Sequence, residues 1–365
     1  MNKRNYSFSI TFMLIIISIA ISLTGCSNSL EPVSTVHEIK DLKVHFIDVG
    51  QADCFLIELP TDEEILIDAG NRADASTIIN YIEKLNINDI EYFVLTHPHE
   101  DHIGSAPDVL ENFVVEKIYM PDTSADSQIY KETIKAIENE NAQLIKAKVG
   151  EKIIDQNNLT FDVLAPSSMW YSETNEFSLV TKLVYKDTSF IFTGDAESVS
   201  ELEMVEDGIN LKSDLLKVGH HGGQTSTSQI FLDAVNPDYA VISVGKDNSY
   251  GHPHKKVLDR LNALGAKIYR TDELGTIIAI SDGFEISIKQ SGSLDIASTV
   301  INNKDVTLAE NADTKIKYIG NNNSLKFHIA ECSSVEGMKE HNKVYFNSRV
   351  EFINQGYDPC GRCKP

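Results

Sequence analysis

The sequence predicts a layered α/β fold, and three observations carry that expectation. Short apolar, β-branched runs alternate with stretches of helical period along most of the chain. At three places such a run empties into a cluster of histidine and aspartate. At 365 residues and 42% hydrophobic content, the chain can bury a large core, and its length exceeds one ordinary domain.

Taken in order, the amino terminus stands apart. Lys3 and Arg4 precede a largely apolar segment, Ile10 to Leu23, followed by Leu23-Thr24-Gly25-Cys26. That is the arrangement of a signal peptide over residues 1–25. The apolar stretch is interrupted by Thr11, Ser18 and Ser22 and falls short of a bilayer span, which argues against a retained membrane helix. Cys26 resembles a bacterial lipobox cysteine. The resemblance implies lipidation there and a mature chain anchored to the outer face of the cytoplasmic membrane. Residues 26–41, with Ser27, Asn28, Ser29, Pro32 and Ser34, read as a polar tether.

The body is expected over residues 42–290. Strand-like runs are Val44 to Ile47, Phe55 to Leu59, Ile65 to Ile67, Tyr92 to Thr96, Leu159 to Val163, Leu179 to Val184, Phe190 to Phe192, Asp214 to Gly219, Ala240 to Val244 and Ile277 to Ile280. Helical patterns cover Ala75 to Leu85, with Ile78, Ile79, Ile82 and Leu85 on one face, and Ile129 to Ile137, Val199 to Val205 and Lys255 to Leu264. Residues 291–324 are rich in Ser, Asn, Asp and Lys and read as a linker before a small tail, 325–365.

Ligand-type residues gather where strands end. Tyr92 to Thr96 runs into His97-Pro98-His99-Glu100-Asp101-His102. Two histidines one residue apart can hold one metal, and the following Asp-His pair is offset towards a second. Four such residues among six argue against a loop of incidental histidines. Asp195 follows Phe190 to Gly194, and His220-His221 follows Asp214 to Gly219, each at the same kind of strand end.

These segments, with Asp68 in Ile65-Leu66-Ile67-Asp68-Ala69-Gly70, resemble the ordered motifs of the metallo-β-lactamase fold. Phe46 to Asp53, Leu216-Lys217-Val218-Gly219-His220-His221-Gly222 and Tyr250-Gly251-His252-Pro253 are similar to the branch containing the hydrolase domain of ComEC-type competence proteins. The resemblance runs from about Val44 to Lys289. It implies a four-layer αββα sandwich of two similar halves and two divalent metals, zinc or manganese, about 3.5 to 4 Å apart. His97 and His99 would hold one ion. His102, Asp101 and one of His220 or His221 would hold the other, and Asp195 would be shared with a bridging hydroxide. Asp101 and Asp195 thereby count as catalytic. Asp48, Asp68 and Asn175 are expected to support the ligands from behind. Lys217 and His252 would meet a phosphate or protonate a leaving oxygen, with surface-loop histidines as the rival reading of His252 and His254. No histidine occurs between His102 and His220, so a third imidazole for the first ion is missing, and Asn175 stands where the branch carries a similar Asn-x-x-Ser segment. An amide oxygen is a weaker zinc ligand than imidazole.

The tail carries a second metal signature. His328 and Cys332 are four apart, and Cys360 and Cys363 close a Cys-Gly-Arg-Cys segment. Two close pairs suit one tetrahedral structural zinc, favoured here over a disulfide between Cys360 and Cys363. The segment from Tyr345 to Cys360 resembles the zinc domain of Ada-type DNA-repair proteins, known with four cysteines. His in the first place departs from that set, so methyl transfer is not implied.

Charge bears on the substrate. The chain carries 32 basic and 54 acidic residues, a formal balance of −22. Removing residues 1–25 takes away Lys3 and Arg4, which leaves 30 against 54, or −24. Such a field opposes non-specific attraction to a polyanion. The two resemblances nevertheless lean towards nucleic acid, DNA above all, as substrate, and the chain is read as a lipid-anchored phosphodiesterase or deoxyribonuclease. The alternatives are a hydrolase of cell-envelope phosphodiesters such as choline-bearing teichoic acids, and a DNA-capture protein for uptake. Nothing in the sequence points to a protein partner.

Overall fold

The computed structural model describes residues 40–140, 142–290, 318–330, 332–339, 342–346 and 357–363. The expected signal peptide, Cys26, all but the end of the tether and most of the linker lie outside the described residues.

Two sheets stack face to face. The first takes β1 (Leu42–Phe46), β2 (Phe55–Glu58), β3 (Glu64–Ile67), β4 (Asp89–Val94), β5 (Val114–Pro121) and β6 (Gln143–Ala147). The second takes β7 (Lys152–Gln156), β8 (Leu159–Ala165), β9 (Val180–Tyr185), β10 (Thr188–Phe192), β11 (Leu215–Lys217), β12 (Tyr239–Ile242) and β13 (Lys267–Arg270). The chain then returns through β14 (Ile277–Ser281) and β15 (Ile286–Gln290) to the first sheet, whose order is β15-β14-β1-β2-β3-β4-β5-β6. The second runs β13-β12-β11-β10-β9-β8-β7. In each sheet an antiparallel section passes into a parallel one, β3 to β6 in the first and β10 to β13 in the second.

Helices cover both outer faces. On the first sheet lie α1 (Ala75–Lys84), α2 (Glu100–Ile103), α3 (Ala106–Asn112) and α4 (Gln128–Asn139); on the second, α5 (Ser198–Glu206), α6 (Gln229–Val235) and α7 (Lys255–Leu264). Three apolar layers result. Phe46, Phe55 and Phe192 meet between the sheets, with ring centroids 5.3 to 6.3 Å apart. Ile78, Ile79 and Ile82 of α1 pack on the first sheet, as their i, i+1, i+4 spacing dictates, and Val257 and Leu261 of α7 pack on the second. This is the αββα sandwich that the motifs implied.

The tail forms its own sheet, from β16 (Tyr318–Asn321), β17 (Lys326–Ile329), β18 (Lys343–Phe346) and β19 (Asp358–Pro359), in the order β18-β16-β17-β19. Residues 318–321, assigned to the linker from composition, therefore pair into this sheet. Polar Asn321 to Ser324 make the hairpin turn, and that turn chemistry masked the strand before it.

Glu64 offers a test of the sheet's electrostatics. It lies opposite Glu58 in the β2/β3 ladder, and its backbone N–H donates to Glu91 Oε2 at 2.7 Å. Lys43 and His45 offset Glu58. Burial, followed by the charge of Glu91, pushes the Glu64 carboxyl up to about 8. A raised folded-state value favours the neutral form, so its stabilisation is complete below the ordinary carboxyl value and lost as pH rises through 8. Glu64→Gln should therefore melt with wild type at pH 4 and above it at pH 9. Because the group is partly exposed, the gain is on the order of 1 kcal/mol or less, a shift of about 2–4 °C. Equal melting temperatures at pH 9 would contradict this.

Candidate metal centre

All the ligand-type residues named above for the hydrolase body sit at carboxyl ends of parallel strands on one edge of the sandwich. His97, His99, Asp101 and His102 follow β4, Asp68 follows β3, Asp195 follows β10, and His220 and His221 follow β11. The backbone there is unusual. Asp68, His220 and His221 have φ of 58°, 48° and 52°, a left-handed conformation that costs energy in non-glycine residues and gathers at functional sites. Gly194 has φ +50°, and a Cβ on it would stand 3.0 Å from that of Thr96 and 3.1 Å from that of Ser178. Only glycine lets β10 deliver Asp195 so close to the β4 loop.

Two groups of ligand-type residues lie here, and Asp195 belongs to the second. In the first, His97 Nε2 and His99 Nδ1 face each other at 3.0 Å, while Thr96 and Ser178 hydroxyls lie at 3.2 and 3.3 Å from His97 Nδ1. In the second, Asp101, His102, Asp195 and His221 bring one ligand atom each within 4.8 Å of the others. His102 Nε2 is 3.3 Å from Asp195 Oδ2, and His221 Nε2 is 3.2 Å from Asp101 Oδ2. So His221, not His220, joins Asp101 and His102. His220 instead aims Nε2 at Asp195 Oδ2 from 3.8 Å and sets Nδ1 on Glu197 at 3.1 Å. It thus brings a further imidazole to Asp195 from outside the second set.

The donor set fits divalent cations. His102 Nε2 and Asp195 Oδ1 are buried without a hydrogen-bond partner among the described residues, which a cation would satisfy. Burial opposes charge on His102, but Asp195, Asp101 and Asp68 together outweigh it and hold its pKa well above the usual imidazole value. In His221, burial is likewise overcome by Asp195 and Asp53, raising it to about 10. The cluster is a strongly negative pocket that seeks positive charge. His97 is held well below its ordinary value, by burial first and by His102 next, so its lone pair is free at neutral pH.

The supporting residues are only partly where the sequence put them. Asp68 accepts from His102 Nδ1, Thr96 Oγ1 and Thr96 N, each at 2.8 Å, which leaves His102 Nε2 as the ligating atom. Asn175 donates to Glu197 Oε1 at 3.1 Å and so stands behind His220. Asp48 is a correction: it is exposed, and its carboxylate caps the Gly50 N–H at 3.2 Å within a turn. Lys217 is another. Expected to meet a phosphate, it is fully buried, with its ammonium on Asp53 and on the Gly194 carbonyl at 2.9 Å. His252 lies beside the ligands, its ring 5.5 Å from that of His220, with exposed Tyr250 at 5.6 Å and His254 at 4.9 Å. Burial, then His220, His221 and His254, push it down to about 4, so it is uncharged at neutral pH and no strong acid reserve. Asp53 and Glu197 were not singled out. Asp53 closes the quoted 46–53 segment and Glu197 lies two residues past Asp195, so proximity to motifs was the available signal.

Residues 47–246 match the model of the Metallo-beta-lactamase superfamily. The chain belongs to that superfamily. It is similar to ComE operon protein 3 of Bacillus subtilis (strain 168), 32% identical over 252 residues that span 64% of this chain and 32% of the relative. It is also similar to Competence protein ComA of Neisseria gonorrhoeae, 31% identical over 63% of this chain and 31% of that protein. The chain spans about a third of the length of these relatives. A crystal structure of the metallo-beta-lactamase fold protein YhfI from Bacillus subtilis aligns over 66% of this chain and 100% of that chain, at 13% identity and a TM-score of 0.45.

In the tail, His328, Cys332, Cys360 and Cys363 bring one ligand atom each within 4.8 Å of the others. His328 lies in β17 and Cys360 directly follows β19, so the two paired strands juxtapose the ligand pairs. The thiols are free, with no disulfide among the described residues. The N–H of Cys363 and that of Arg362 lower the Cys360 thiol, which favours the thiolate a metal requires.

Proposed function

We propose that the protein is a two-metal phosphodiesterase, acting on DNA, anchored outside the cytoplasmic membrane through lipid on Cys26, with a structural zinc in its tail. What supports the catalytic reading above all is Asp195, whose carboxylate lies within 3.8 Å of His102, His220 and His221, between the two ligand sets. His97 and His99, with Asp195 and His220, would hold one ion, and Asp101, His102, Asp195 and His221 the other. When bound, the metals supply Lewis-acid stabilisation of phosphoryl oxygens and an activated water at neutral pH.

The chain's own groups prepare that chemistry. Asp68 and the Ser243 carbonyl, 3.0 Å from His221 Nδ1, hold the far nitrogens of two ligands as donors. Gln51 Nε2 lies 3.4 Å from His252 Nδ1, a contact that keeps the ring proton on Nε2. Neutral His252 then acts as a hydrogen-bond donor to a substrate oxygen rather than as a charged acid. Exposed Tyr250 beside it offers a face on which a base can stack. The names of the relatives, a competence protein and, in Haemophilus influenzae, Recombination protein 2, favour nucleic acid. The net charge of −22 favours a second reading, an envelope phosphodiester.

Stripped protein reloaded with zinc or manganese is assayed on plasmid, single-stranded DNA and a small aryl phosphodiester. Metal-dependent cleavage of all three is expected. Turnover of the aryl ester without any of DNA would favour the envelope substrate, and no metal-dependent turnover at all would overturn the reading.

A further inference from the structure

Lys217 is an odd residue to find under a cation site. It is fully buried, and its ammonium lies 3.9 Å from Asp195 Oδ1, the carboxylate proposed to serve both ions. A positive charge at that distance in a dry environment competes with any cation for the same oxygen. What holds it back is Asp53, also fully buried, whose Oδ2 takes the ammonium directly.

Asp53 reaches further than this one contact. Its Oδ1 lies 3.4 Å from His221 Nδ1 and has no hydrogen-bond partner among the described residues. Its backbone N–H donates to the Asp101 carbonyl at 3.1 Å, and its own carbonyl accepts from Gly70 at 2.9 Å. Lys217, in turn, donates to the carbonyl of Gly194, the residue before Asp195. The pair therefore connects the loop carrying Asp101 and His102, from the first sheet, with the strand ends carrying Asp195 and His221, from the second.

We infer that Asp53 is a positioning residue for the second metal position: by sequestering the Lys217 ammonium it keeps Asp195 available to cations. The inference rests on the two-metal reading above. It differs from a purely structural ion pair in one respect. A structural pair affects how much protein folds, whereas a sequestering pair also affects how folded protein binds metal.

Cobalt(II) separates the two, since its visible absorption reports ligand number and geometry. Asp53→Asn, Lys217→Met and the double variant are each titrated with cobalt by equilibrium dialysis, counting only protein that folds by circular dichroism. In Asp53→Asn the ammonium is free to turn to Asp195, and affinity at the second position should fall at least tenfold, with an altered spectrum. The double variant removes both charges and should recover most of that affinity, which keeps the test decisive if the single variant folds poorly. Wild-type affinity and spectrum in folded Asp53→Asn would overturn the inference while leaving the metal centre standing. A double variant that folds but binds cobalt no better than Asp53→Asn would also overturn it, because sequestration would not be the cause. No cobalt bound by the wild-type chain beyond the one ion that His328, Cys332, Cys360 and Cys363 can take would overturn the two-metal reading itself, and this inference with it.

Discussion

Asp195→Ala should lose both ions and, with them, metal-dependent hydrolysis, while its metal-free form stays folded. The carboxylate lies within 3.8 Å of a nitrogen of His102, His220 and His221, and no other carboxylate among the described residues is shared in that way. Several kcal/mol of transition-state stabilisation go with the ions, a loss of roughly a thousandfold or more in kcat. The fold should survive because Asp195 sits in a crowd of acids. Asp53, Asp68 and Asp101 surround the same imidazoles, so removing one anion from the metal-free site relieves repulsion as well as breaking pairs. Metal content by mass spectrometry, turnover and a metal-free melting curve check the three parts separately. Full turnover would sink the dinuclear mechanism.

Cys360→Ser should empty the tail's metal site and unfold the tail without touching hydrolysis of a small phosphodiester. Among the described residues of the tail, apolar packing is sparse. Its apolar groupings are small, one around Ile319, Cys332, Val335 and Cys360 and another around Phe327 and Tyr357. Structural zinc contributes about 10 kcal/mol or more in domains of this size, far above what such cores supply. One zinc per chain lost on substitution, with amide exchange accelerated over residues 318–363 and unchanged in the body, is the expected result. Retained zinc, or a Cys360–Cys363 disulfide in the purified wild type, would refute it.

Most of the interior of the fold was legible in the sequence, β5 (Val114–Pro121) excepted, and its margins were not. Strands buried on both faces, such as Phe55–Glu58 and Leu215–Lys217, announced themselves as apolar runs, and Lys255–Leu264 kept its helical period to the residue. The strands missed include all four edges of the two stacked sheets, β6, β15, β13 and β7. Sequences such as Gln143-Leu-Ile-Lys-Ala and Lys267-Ile-Tyr-Arg carry the charges that protect an edge, and those charges erase the strand signal. The site divides similarly. Its ligands were readable because imidazole and carboxylate crowded at strand ends have few other uses. Lys217 was misjudged because a lysine beside a hydrolytic centre suggests contact with an anion, and only three-dimensional proximity reveals that Asp53, 164 positions away, has already claimed it.

The return of β14 to the first sheet sets the order in which this protein can be built. β1, made first, pairs with β2 on one side but waits on the other for residues 277–281. Until those residues leave the ribosome, a five-residue strand keeps an open flank, and no partly synthesised chain can close its sheet. Contacts of that sequence separation make folding slow and leave intermediates exposed to pairing with other chains.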